Sequence, residues 1–106
     1  MRKIPLDNYE VMVPDEDGAL NTMPYQVKES LVNCLLHPFL KLSGRELLSR
    51  APLAKQIQEA DGFVLVEEAD YRKLSQAFEY IEGFTKNDME LVRRVLEAEI
   101  TNVKEI

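Results

Sequence analysis

The sequence predicts an α+β fold: an N-terminal β-hairpin plus one further short strand, packed against four or five short amphipathic helices. Three observations carry this expectation. Residues 9–13 alternate in hydrophobicity with a period of two and run into an acidic, glycine-ended turn. From about Tyr25 the apolar period changes to that of a helix. One short β-branched run, Phe63-Val64-Leu65-Val66, interrupts the helical part. At 106 residues and 45% apolar composition, the chain is expected to form a single domain over residues 1–106 that needs no disulfide or metal staple.

Tyr9, Val11 and Val13 share one face of the first clear strand. Pro14-Asp15-Glu16-Asp17-Gly18 reads as a turn, and residues 19–23 return as the second strand of the hairpin. Residues 2–6 offer a short strand ahead of it, which Pro5 would confine to a sheet edge. Val27, Leu31, Val32, Leu35 and Leu36 recur at helical spacing, with Pro24 just before the start and Pro38 at the end. This helix is apolar around much of its second half and is expected at the centre of the core.

Ser43 followed three residues later by Glu46 fits a capping box, so a short helix should carry Leu47 and Leu48. Pro52 is expected to interrupt it and to begin another helix through Leu53 and Ile57, closed by Asp61-Gly62. Phe63–Val66 should then pair with the N-terminal hairpin. Tyr71, Leu74, Phe78 and Ile81 form the stripe of the next helix, with Gly83 as its C′ residue. Thr85 should cap the last helix, with Met89, Val92, Val95 and Leu96 as its buried face and Glu97, Glu99 and Thr101 toward solvent. Residues 101–106 read equally as a tail or a last strand.

Chemistry-bearing residues are scarce. One cysteine and one histidine allow neither an internal disulfide nor a zinc site. Cys34 and His37 are three residues apart and could face each other across a helical turn. Pro38 instead places His37 at a helix end, no third orienting group is near, and Cys34 in its apolar stretch reads as a small buried hydrophobe. The four glycines are isolated, which leaves no phosphate-cradling loop. Asp15-Glu16-Asp17-Gly18 supplies only the start of a calcium loop, and a hairpin turn explains it more simply. Glu67, Glu68 and Asp70 suit the positive end of a helix. Arg93 and Arg94 follow Glu90 at intrahelical pairing distance. No catalytic, cofactor-binding or metal-binding residue is therefore expected.

The formal charge is −6, and the acidity is concentrated late. Residues 1–53 hold 7 acidic and 6 basic side chains, residues 54–106 hold 12 and 7. That balance, with no tryptophan and scattered aromatics, argues against a nucleic-acid binder. Residues 1–20 contain no apolar signal region, and no apolar run approaches a membrane span, so a cytoplasmic protein is expected.

The stretches Val27-Lys28-Glu29-Ser30-Leu31, Leu40-Lys41-Leu42-Ser43-Gly44-Arg45-Glu46-Leu47-Leu48 and Asn87-Asp88-Met89-Glu90-Leu91-Val92-Arg93-Arg94 resemble short, uncharacterised proteins encoded by bacteriophages and prophages. The resemblance implies an origin and no mechanism. The roles it implies are phage assembly, as a chaperone or accessory for head or tail proteins, or manipulation of a host protein.

The expectation is thus a non-enzymatic protein–protein interaction or assembly protein acting as a homo-oligomer. Its contact elements would be the hairpin and the last helix, through Tyr9, Val11, Met12, Met89, Val92, Arg93 and Arg94. Two alternatives are an acidic inhibitor that mimics nucleic acid, and a small enzyme using Cys34 and His37. The mimic requires Glu67, Glu68, Asp70, Glu79, Glu82, Glu97 and Glu99 to share one side.

Overall fold

In the computed structural model, which describes residues 1–101, the two ends of that stretch meet in one antiparallel sheet of order β4-β1-β5. β1 (Arg2–Pro5) pairs with β4 (Phe63–Val66) from Arg2↔Val66 to Pro5↔Phe63. On its other side β1 pairs with the two residues of β5 (Glu99–Ile100) at Arg2 and Lys3. The pleat sends Ile4, Val64 and Val66 to the buried face, as a period of two requires. Lys3 and Phe63 lie on the opposite face, where the ammonium sits 4.7 Å from the ring centroid.

Against the buried face pack α1 (Val27–Leu35), α2 (Gly44–Glu59), α3 (Glu68–Tyr80) and α4 (Met89–Leu96). Short 3₁₀ turns at Pro38–Leu40 and Lys86–Asp88 precede α2 and α4. Val27, Leu31 and Leu35 on α1 are wholly buried and meet Ile57 of α2 and Leu74 of α3 in one core, which also takes in Ile4, Leu91 and Val95. α1 is the core helix the sequence predicts.

β2 (Tyr9–Pro14) and β3 (Leu20–Tyr25) form a separate two-stranded sheet. The hairpin is therefore as expected, but Phe63–Val66 does not pair with it. β4 joins β1 instead, and β1 is the central strand, not an edge. Pro5 is tolerated there because β5 is too short to reach it: only Arg2 and Lys3 have a partner on that side.

Several boundaries also differ. Gly44–Glu59 is one helix with Pro52 inside it. The proline lies on the exposed face, where water can take up the carbonyl its missing N–H leaves free. Pro24 belongs to β3, and α1 starts at Val27, whose amide is capped by the Asn8 carboxamide at 3.0 Å. Gly83 has φ +95° but lies two residues past the α3 cap at Ile81. α4 stops at Leu96 and buries Leu91 and Val95, with Ala98 just beyond, whereas Met89 and Leu96 are exposed. Glu99 is in β5 rather than on the last helix. Of the stretch 101–106, all but Thr101 lies outside the described residues.

Candidate functional site

The hairpin is an arm built by its own turn. The Asp15 carboxylate accepts from the amides of Asp17 and Ala19, both at 2.9 Å, and from the Asn21 side chain at 3.1 Å. These bonds, the one from Asn21 foremost, hold its pKa below the ordinary carboxylate value. Gly18 takes φ +81°, which an L side chain resists. Asp15 in the turn is thus explained by hairpin closure. Among the described residues no group of His, Cys, Asp or Glu side chains has the makings of a metal site.

The strand register sorts the arm into two faces. Tyr9↔Tyr25, Val11↔Met23 and Val13↔Asn21 share one; Glu10↔Pro24, Met12↔Thr22 and Pro14↔Leu20 share the other. Toward the base the first face is covered, and Tyr9, Val11, Val13 and Tyr25 are half-buried. The second is open throughout, with Met12 44% and Leu20 60% exposed, while Met23 on the first face is 50% exposed. A proline has no N–H to donate, so Pro14 and Pro24 stand where the amide would point away from the partner strand. Each blunts an outer edge of the hairpin.

The base of the arm is clamped to the start of α4. The rings of Tyr9 and Tyr25 stack at 4.7 Å and 11°. The Tyr9 hydroxyl donates to the Asn87 carbonyl at 2.7 Å and accepts from the Leu91 amide at 3.3 Å. It thereby satisfies one of the orphan donors in the first turn of α4. The Tyr25 hydroxyl donates to the Asp88 carboxylate, whose other oxygen closes a capping box with Thr85. Burial, and then the Asp88 carboxylate, push the Tyr25 phenol upward. Burial also raises Tyr9.

Arg94 locks the same junction. Its guanidinium lies 5.2 Å from the centroid of the Tyr9 ring and donates to the carbonyl of Asp7 at 2.7 Å. Glu90 receives Arg93 through two bonds at 2.9 and 2.8 Å, and Arg94 at 2.9 Å. The two guanidiniums, Arg93 first, pull the Glu90 carboxyl down to about 2.

The residues singled out from the sequence therefore divide by role. Tyr9 and Arg94 are anchors of the arm. Val11 and Val92 are half-buried, Val92 against the core. Met12 and Met89 are exposed, Met89 at 67%. Arg93 is exposed but tied to Glu90. Sequence reasoning missed Leu20, Met23 and the two edge prolines as surface features. It also missed the exposed strip of Arg45, Leu48, Pro52 and Lys55 on α2.

The Cys34–His37 pair is not assembled. His37 caps the 3₁₀ turn, its Nδ1 accepting from the Phe39 amide at 3.1 Å, and no hydrogen bond joins the imidazole to the thiol. Burial pushes the half-buried Cys34 thiol up to about 11, away from nucleophilic character. Most of the late carboxylates have basic neighbours. Glu68 pairs with Arg2 and Asp70 with Lys73, Glu79 and Glu82 line a groove with Lys41, and Glu97 and Glu99 line another with Lys3, Arg93 and Arg94. No helix among the described residues is long and apolar enough to cross a membrane. Comparison with protein-family models, with curated proteins and with solved structures finds no match to this chain.

Proposed function

We propose that the protein is a non-enzymatic assembly protein that works as a homo-oligomer, with the hairpin arm as its contact element. The observation that carries this reading is the arm itself: a separate two-stranded sheet, clamped at one end, that exposes Met12 and Leu20 together on its open face. A two-stranded hairpin has marginal stability alone, and apolar side chains gathered on its open face mark a surface made to be covered. Fully burying each of these side chains is worth about 1.5–3 kcal/mol, so covering the exposed half returns roughly 1 kcal/mol each. Pro14 and Pro24 direct the contact to the faces of the arm and away from strand addition at its edges. An assembly role also agrees with the resemblance of Val27–Leu31 and Asn87–Arg94 to phage and prophage proteins.

The test is the mass of the native protein by light scattering across a dilution series, beside the double variant Met12→Asp/Leu20→Asp. The wild type is expected to associate as concentration rises, and the variant to stay monomeric while keeping a cooperative melting transition. A wild type that is monomeric at every concentration sinks the proposal.

A further inference from the structure

The arm is acidic as well as apolar. Residues 9–25 contain Glu10, Asp15, Glu16 and Asp17 and no Lys, Arg or His. On its open face Met12, Pro14 and Leu20 lie between Glu10, which sits opposite Pro24 near the base, and the turn carboxylates at the tip. At about 3.3 Å per residue those acidic ends are about 18 Å apart.

α2 carries the reciprocal pattern. Arg45, Leu48, Pro52 and Lys55 recur at i, i+3, i+7 and i+10, so they line one face of the helix, and all four are exposed. Leu48, at 74%, is the most exposed of the large apolar residues described. The strip has an apolar centre and a cation at each end, about 15 Å apart at about 1.5 Å rise per residue. Arg45 makes no ion pair among the described residues. Lys55 meets only Glu59, one turn on, at 3.9 Å with both side chains well exposed, a weak contact.

We infer that the open face of the arm of one copy docks on the Arg45–Lys55 face of α2 of the next, Met12 and Leu20 against Leu48 and Pro52, with the acidic ends on the basic ends. The inference rests on the reading of the arm as a self-association element and adds its partner surface. The occupant is a second copy because one chain presents both members of a matched pair, apolar centre to apolar centre and −/− ends to +/+ ends, and leaves both uncovered. An arm meeting another arm would oppose carboxylates to carboxylates. Because the two surfaces differ, the contact is head-to-tail and generates rings or open chains instead of a two-fold dimer.

Two variants test it. Met12→Asp/Leu20→Asp removes the arm surface and leaves the α2 face; Arg45→Glu/Leu48→Asp does the reverse. All four positions are well exposed, and melting curves verify that both variants fold. Each variant alone should be monomeric by sedimentation. An equimolar mixture should form a 1:1 heterodimer, because one intact arm then meets one intact α2 face. Its affinity should fall at least about 10-fold between low and high salt, as a contact between charged ends requires. If wild type associates but the mixture stays monomeric, or the α2 variant alone still associates, the head-to-tail contact is wrong while the arm remains the contact element. If wild type never associates, both readings fall together.

Discussion

Removing one hydroxyl from the clamp at the base of the arm, by Tyr9→Phe, isolates the energy that holds arm to body. The ring stays, so the stack on Tyr25 and the packing under Arg94 are kept. Two hydrogen bonds are lost, to the Asn87 carbonyl and from the Leu91 amide. Each contributes about 1 kcal/mol net, and the half-buried partners are left without a replacement, so the loss should be about 2 kcal/mol. For a chain of this size that corresponds to about 10 °C in melting temperature. Urea unfolding followed by circular dichroism should show a lower midpoint with an unchanged slope. Hydrogen exchange should show the Leu91 amide losing protection, because its acceptor is gone. Tyr25→Phe in the same background should couple to it, since the two hydroxyls reach adjacent residues, Asn87 and Asp88. A loss below about 0.5 kcal/mol, within the range of ordinary surface substitutions, would refute the clamp.

Three further outcomes follow from the same geometry. Glu90 has a folded pKa near 2 against an ordinary value of 4.5, so its contribution is fully present above about pH 4.5 and is lost as pH falls toward 2. The carboxylate is partly exposed, so the contribution should be below about 1 kcal/mol, and stability curves of wild type and Glu90→Gln should converge at the acid end; parallel curves would contradict it. The Cys34 thiol should react with a disulfide reagent at about pH 8 at least about 100-fold more slowly than a free thiol, and normally once unfolded. Fast labelling of the native protein would reopen the Cys–His alternative. Pro52→Ala should stabilise the protein by about 2 kcal/mol, the helix-interior penalty of about 3 less about 1 for a more flexible unfolded chain. A loss of stability in thermal unfolding would mean that the proline ring is needed where it stands in α2.

What the sequence made legible was local. Asp15 and Gly18 close a hairpin by bonds within six residues, and that chemistry is written in the turn. Leu31 and Leu35 on α1, and Tyr71, Leu74 and Phe78 on α3, are found by period alone because the core takes one face of each helix. The pairing of β1 with β4 and β5 was not legible. It joins residues more than 55 positions apart, and alternation fixes which face a strand buries without naming its neighbour. Pro52 misled for a related reason: its cost in a helix depends on whether the freed carbonyl meets water, which is a property of the fold.

The surface proposed for contact lies where pattern reading fails in principle. Leu47, Leu48, Met89 and Leu96 were assigned to helices as apolar members, and Met89 and Leu96 to a buried face, yet all four are exposed. An apolar residue on the solvent side of a helix looks, in one dimension, like one more core position. Its presence becomes informative only when the core is seen to be complete without it. The body buries Leu53, Ala54 and Ile57 on α2 and Leu91 and Val95 on α4, so Leu48 and Met89 are surplus to the interior. A single surplus residue of this kind is ordinary on a soluble protein. Leu48 with Pro52 between two cations, opposite in charge to Met12 and Leu20 between carboxylates on the same chain, is a correlated pair of departures. Hairpin closure accounts for Asp15, but the core accounts for neither Leu48 nor Met12; the proposed head-to-tail contact would cover both.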